Sequence, residues 1–325
     1  MRHRAAIDGS IVVIGELNVD AVATGLTETP RLGAEILAED FQLTLGSASA
    51  IFASGVARLG HEVTFISKVG RDDFGDFCLA ALRNIGISTR HVLRDSKEKT
   101  GITLALSTRK DRALVTYLGT ISTLKYDDVR MPLLKGKSHL HLTSYFLQHG
   151  LRASFPRIFE EAHAQGLTTS FDPNSDPTSS WADDIWDVLT HTDIFFLNQT
   201  EALQLTKQKG ARGALKALSA RVPCAVIKLG PKGAVAIKDG QVASVPGFKV
   251  DALDTTGAGD SFAAGFVSAF LKGQPLEECL RSGNACGALS TLKAGGTANQ
   301  PDRAGLKRFL SRSFRGGPRP PVRLR

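Results

Sequence analysis

Apolar residues along the chain fall into short continuous runs rich in β-branched side chains: Ile11 to Gly15, Val63 to Ile66, His139 to Thr143, Thr168 to Phe171, Ile194 to Leu197 and Ala225 to Leu229. A run with no polar alternation has no wet face, so each predicts a strand covered on both sides. Between them lie segments of helical spacing, among them Ser49 to Leu59, Phe74 to Ile85 and Phe155 to Gln165. Each runs into a glycine (Gly60, Gly86 or Gly166), the residue that most readily takes the left-handed conformation that stops a helix. Strand and helix in alternation predict a mostly parallel central sheet between two helix layers, a three-layer α/β/α architecture.

Two regions break that rhythm. Residues 34–45 and 101–118 alternate with period 2, the second as Ile102 to Leu106 and Ala113 to Leu118 around Arg109-Lys110-Asp111. Alternation belongs to strands with one covered face, which predicts a small separate β-sheet over one end of the core, placed as a lid.

Composition adjusts this picture in three ways. The 325 residues, 42% hydrophobic and 22% charged, suit one large core with a small appendage. No apolar run approaches the roughly 18 residues of a membrane span, and the first is cut short by Glu16, Asn18 and Asp20, so neither signal peptide nor anchor is expected. Cys78, Cys224, Cys279 and Cys286 form no C-x-x-C pair and read as buried free thiols, which points to the cytoplasm.

The net charge of +8 is carried by residues 303–325, which hold Arg303, Lys307, Arg308, Arg312, Arg315, Arg319, Arg323 and Arg325 and no acid. Residues 1–302 are therefore neutral, which argues against a nucleic-acid groove. The segment Gly316-Gly317-Pro318-Arg319-Pro320-Pro321 suits neither helix nor paired strand. The folded domain is thus expected over 1–313, with a basic, solvated tail over 314–325 open to a weak, salt-sensitive polyanion contact.

Candidate chemistry concentrates in Asp254-Thr255-Thr256-Gly257-Ala258-Gly259-Asp260-Ser261-Phe262, which leads into an apolar helix reaching about Leu271. A glycine-rich turn that opens a helix leaves amide N–H groups unpaired at the positive end of the helix dipole, which makes a phosphate cradle. An aspartate in the first turn lies beside that cradle and could take a proton from an attacking hydroxyl. The same residues also describe a plain glycine turn with an acidic cap, and on this stretch alone the two readings are level. A dinucleotide site is disfavoured because Phe262 stands where a third glycine is wanted, and no G-x-x-x-x-G-K-[ST] occurs.

These residues resemble the C-terminal signature of the ribokinase-like (PfkB) carbohydrate kinase family. Gly15-Glu-Leu-Asn-Val-Asp20, Gly46-Ser-Ala-Ser-Ala-Ile51, Gly70-Arg-Asp-Asp-Phe-Gly75, Asp172-Pro-Asn174, Asn198-Gln-Thr-Glu201 and Lys228-Leu-Gly-Pro-Lys-Gly233 fall in the family's order, so the resemblance extends over most of residues 10–300. It implies a ribokinase-like core that binds ATP, a lid that closes on a sugar, an anion hole from Gly257, Ala258 and Gly259, and Asp260 as catalytic base.

Further roles follow from the same resemblance. Asn18, Asp20, Gly46, Ser47, Ile51 and Asp254 would meet the substrate. Lys228, Gly230, Gly233 and Asn284 would serve the nucleotide, although Asn284 is equally a satisfied polar residue in an apolar helix. Asn198 and Glu201 would place Mg2+, with Glu201 acting through water, and also have the spacing of a helix capping box. A K+ site is implied at Asp254, Thr256 and Gly295.

Four departures from the family pattern concern the substrate. Ser47 and Ile51 replace a glycine and an asparagine of the sugar loop, Thr143 stands where ribokinases carry a glutamate, and Asp176 stands where an arginine often follows. The second reading is a nucleoside kinase whose base would rest on Ile51 and Phe52. The third, from another class, is a regulator that binds nucleotide or sugar without catalysis. Open lid edges would suit a homodimer.

Overall fold

The computed structural model describes residues 9–108, 112–181 and 183–314. The four residues of β1 (Ile11–Ile14) are fully buried, Ile11 and Val13 in one core and Val12 and Ile14 in the other. The chain continues through β2 (Asn18–Leu26), β3 (Asp40–Leu45), α1 (Ala48–Arg58), β4 (Val63–Gly70), α2 (Asp73–Ile85), β5 (Val92–Asp95), β6 (Gly101–Thr108) and β7 (Arg112–Tyr117). Then come β8 (His139–Thr143), α3 (Phe155–Ala164), β9 (Thr168–Asp172), α4 (Ile185–Leu189), β10 (Ile194–Asn198), α5 (Gln199–Thr206), α6 (Ala211–Leu218) and β11 (Cys224–Lys228). β12 (Gly233–Lys238), β13 (Gln241–Pro246), α7 (Ala258–Phe270), α8 (Leu276–Ser290) and α9 (Arg303–Phe314) complete the described chain.

The large sheet has the order β13-β12-β11-β10-β9-β8-β1-β4-β5. Its pairs are parallel from β5 to β11, and β12 and β13 add an antiparallel edge. One face packs on α3 to α6 and the other on α1, α2, α7 and α8, giving the expected three layers. The predicted strands and helices lie within a few residues of the observed ones, and Gly60, Gly86 and Gly166 all have positive φ.

The small sheet, β3-β2-β6-β7, differs in detail from expectation. Its β2 is not among the expected strands, because Asn18 and Asp20 interrupt the apolar residues. The strand expected from residue 34 begins only at Asp40, where the pairing of β3 with β2 that starts at Leu45 ends. The Arg109-Lys110-Asp111 turn lies outside the described residues. So do residues 315–325 of the expected tail, whose first member, Phe314, ends α9.

Register gives the small sheet two unlike faces. Asp20 lies in a row with Thr44, Thr103 and Thr116, and Thr44 approaches Gly295 of the main body. The opposite face carries Phe41, Leu43, Leu104, Val115 and Tyr117, each between 41% and 60% exposed. Among the described residues no helix is long and apolar enough to cross a membrane.

Asp72 couples the two sheets. Its carboxylate accepts from the Gly75 N–H at the start of α2 (2.8 Å) and from the N–H and hydroxyl of Thr100 just before β6 (2.8 and 2.7 Å). Asp72→Ala should lower unfolding free energy by about 1–2 kcal/mol, the upper range for losing a helix cap. Urea melts would show this as a lower midpoint with unchanged slope, and an unmoved midpoint would rule the clamp out.

Candidate active site

Strand order puts a crevice above β1. From β1 the chain steps outward through β4 and β5 on one side and through β8 to β11 on the other, and ligands in open parallel sheets bind at such a reversal, beyond the carboxyl ends. Those ends supply Glu16 after β1, Thr143 and Ser144 at β8, Asp172 and Asn174 at β9, Asn198 and Glu201 at β10, and Lys228 at β11. The first turn of α7 lies against them.

Gly257 caps α7 with φ 68°, and a Cβ there would stand 2.8 Å from Ile51 Cδ1 and 2.9 Å from Gly296 Cα, so the turn demands glycine. The Ala258 N–H bends back to Thr255 O at 3.2 Å. The amides of Gly259 and Asp260 in the first turn have no acceptor within the helix. Gly259 borders a cavity of about 650 Å3 whose lining also includes Lys228, Gly230, Gly233, Ala258 and Asn284. The predicted nucleotide residues are thus brought together. Asn284 lines the cavity, and its amide is satisfied, donating to Val245 O and Pro246 O (3.1 and 3.3 Å).

Asp260 is 9% exposed and belongs to the strand-end side of the turn rather than to the cavity lining. Burial, reinforced by the nearby charges of Asp172 and Glu16, outweighs the pull of Lys228 and a hydrogen bond with Asn174, and its pKa is pushed up to about 7. The group is thus poised to exchange a proton near neutrality.

Lys228 donates to Asp172 Oδ2 at 2.5 Å. Burial alone would lower its pKa, but Asp172, Glu201 and Asp260 hold it above the ordinary lysine value. The capping box expected at α5 is present: Asn198 N–H donates to Glu201 Oε2 (2.7 Å) and Glu201 N–H donates to Asn198 Oδ1 (2.9 Å). Ser175 donates to Glu201 Oε1 at 3.1 Å. Burial raises the Glu201 pKa, against the pull of Lys228. Among the described residues no cluster of three or more His, Cys, Asp or Glu is arranged to hold a metal unaided. The hard carboxylate oxygens of Glu201 and Asp172 fit an Mg2+ held mainly by phosphate and water.

Of the predicted substrate residues, Asn18 is buried and donates to Asp20 Oδ1 at 3.1 Å. Gly46 abuts both, since a Cβ there would fall 2.2 Å from Asp20 Oδ1 and 2.6 Å from Asn18 Nδ2. Ser47 takes a glycine-like φ of 77° and caps α1, donating to Glu16 O at 2.5 Å and accepting from Ala50 N–H at 3.0 Å. Ile51 packs on Gly257 and Gly296, and Phe52 is fully buried with its ring stacked on His141 at 3.6 Å, so Phe52 offers no face to a nucleobase. Asp254 spends one oxygen on its own loop, accepting from the N–H and hydroxyl of Thr256 (2.9 and 2.7 Å), and the other on the Gly295 N–H beyond α8 (2.8 Å). The three residues of the implied K+ site are therefore adjacent.

Sequence reasoning missed Glu16. Only 3% exposed, it accepts from Ser49 Oγ (2.6 Å), Ser49 N–H (3.2 Å) and Ser144 Oγ (2.8 Å), beside Thr143. The carboxylate missing at position 143 is thus matched by one arriving from β1. The available signal was an acid directly beyond a buried apolar run. Asp176, in the place of an expected arginine, is used locally and accepts from Thr178, Ser180 and Trp181.

Residues 8–303 match the model of the pfkB family carbohydrate kinases. A 2-dehydro-3-deoxygluconokinase of Bacillus subtilis is 33% identical over 83% of this chain and 88% of its own length. A ribokinase of Haemophilus influenzae is 29% identical over 93% and 98% respectively. A protein of E. coli described as a ribokinase II, solved in complex with ATP and Mg2+, superposes with a TM-score of 0.82 at 25% identity, over 94% of this chain and 99% of its own. With a site of this geometry and a match across nearly its whole length, the chain belongs to the pfkB family of carbohydrate kinases and is a sugar kinase.

Proposed function

We propose that the protein transfers the γ-phosphate of ATP to a hydroxyl of a sugar or sugar-like substrate, with Asp260 as general base and the first turn of α7 as anion hole. The observation that carries this reading is that the Gly257–Asp260 turn divides a 650 Å3 cavity from a buried carboxylate whose pKa is near 7. The acceptor oxygen bonds to the γ-phosphorus and its proton passes to Asp260. The bond between the γ-phosphorus and the bridging oxygen breaks, and its electron pair stays with ADP. Asn18, Asp20 and Gly46 would orient the acceptor, while Gly230, Gly233 and Asn284 border the nucleotide.

Asn198 and Glu201 would orient Mg2+ through water, and that ion would supply charge neutralisation for the phosphates. A K+ at Asp254, Thr256 and Gly295, and a cytoplasmic location suited to four buried free cysteines, belong to the same proposal. So does a homodimer through the outer lid face, where Phe41, Leu104, Val115 and Tyr117 form an exposed apolar patch with alternation behind it.

ADP release across a panel of sugars, sugar acids and nucleosides tests the reading, and no turnover with any acceptor would reject it. Asp260→Asn keeps the shape and a capping oxygen but cannot accept the proton, so kcat should fall by about 10²–10⁴ with little change in the KM for ATP. A folded variant keeping more than about a tenth of kcat would remove Asp260 from the role.

The base works only when ionised, so kcat/KM should fall as pH drops through about 7, approaching tenfold per unit below it. A profile flat from pH 8 to 5.5 would contradict this. For the dimer, Val115→Glu should shift sedimentation from dimer to monomer while the chain stays folded, and a monomeric parent would refute the interface.

A further inference from the structure

Lys228 is a buried charge whose surroundings exceed what its own neutralisation requires. Its side chain is 13% exposed at the end of β11, where an isolated ammonium would be costly. Asp172 compensates it directly, yet Glu201 and Asp260 also bear on it. Three carboxylates around one ammonium leave the neighbourhood negative, a poor seat for a triphosphate unless the ammonium itself is presented to the ligand.

The geometry presents it. Lys228 Nζ stands 3.1 Å from where a Cβ on Gly259 would be, and Lys228 and Gly259 line the same cavity. Because Gly259 has no side chain, nothing intervenes between the ammonium and the amide edge of α7. An ammonium has three donors, and Asp172 occupies one of them.

We propose that Lys228 is a catalytic residue: its ammonium contacts the transferring phosphoryl group beside the Gly259 and Asp260 amides and stabilises the charge on its oxygens. Asp172 acts through Lys228 as a positioning residue. This rests on the kinase reading above. Lys228 keeps all its protons throughout, and the acceptor proton goes to Asp260. Positive charge fixed where negative charge is shared among phosphoryl oxygens acts most strongly on the transition state, because the site does not reorganise to supply it.

Lys228→Met keeps the stem and removes the charge. Because it strands Asp172, the double variant Asp172→Asn/Lys228→Met is the second probe; it removes both buried charges, a change that often leaves stability intact. Two readouts are needed: kcat from ADP release, and calorimetric affinity for MgADP with and without aluminium fluoride, a mimic of the phosphoryl group in flight.

Both variants should hold MgADP within about threefold of the parent, lose the tightening that aluminium fluoride gives, and lose about 10²–10³ in kcat. Retained tightening with more than about a tenth of kcat would make Lys228 only a counter-ion to Asp172 and overturn the assignment. A loss confined to the KM for ATP would overturn it too. A parent that turns over while its variants behave as counter-ion mutants fails this inference alone. A parent that releases no ADP with any acceptor fails the kinase reading, and this inference with it.

Discussion

Three carboxylates from different elements, Asp172 on β9, Glu201 on α5 and Asp260 on α7, converge on the ammonium at the end of β11. Buried charges of one sign persist only when an opposite charge lies close enough to offset desolvation, so this convergence fixes the positions of the elements that bring them. The α5 capping box holds one acid, the tight turn at Gly257 delivers another, and the parallel register of β9, β10 and β11 sets the spacing. Loosening any of these would leave a carboxylate without its partner in a low-dielectric site. The buried site is therefore coupled to the global fold.

The same arrangement separates two regions across one turn of helix. On one side of Gly259 lies the cavity bordered by Gly230, Gly233 and Asn284, and on the other lies the Asp260 carboxylate among strand ends. Glu16 links the second side to the first strand through Ser49 and Ser144, and the Ser144 N–H donates to Asn174 Oδ1 at 3.0 Å. Asn198 and Glu201 show that a capping pair and a candidate metal-orienting pair can be the same atoms, because an N-terminal first turn already points oxygen-bearing side chains at the crevice.

What was legible in the sequence follows from how local each feature is. The six apolar runs identified strands because burial on both faces requires contiguous apolar residues, and the glycine turn before Asp260 stood out because an anion-binding helix start is built from consecutive residues. The charge cluster was not legible. Glu16, Asp172, Asn174 and Lys228 meet only after strands far apart in the chain are laid side by side, and no spacing records that. Ser47 and Ile51 were legible as departures but not in their consequences: one became a helix cap at positive φ, the other a wall against Gly257. The strand β2 was hidden because its inward residues, Asn18 and Asp20, look like a turn when their partners are unknown.

That strand also constrains how the protein can change over generations. Along β2 the residues alternate between the row of Asp20, Thr44 and Thr103 and the apolar row of Ala21, Leu43 and Leu104. Exchanging one side chain alters one row. Inserting or deleting a single residue instead turns every later side chain to the opposite face, taking Asp20 out of its row with Thr44 and Thr103 and putting apolar groups in its place. Evolution can therefore rewrite the letters of this strand one at a time, but its length is close to frozen, and descendants with new acceptor preferences are expected to differ from this chain here by substitution rather than by gaps.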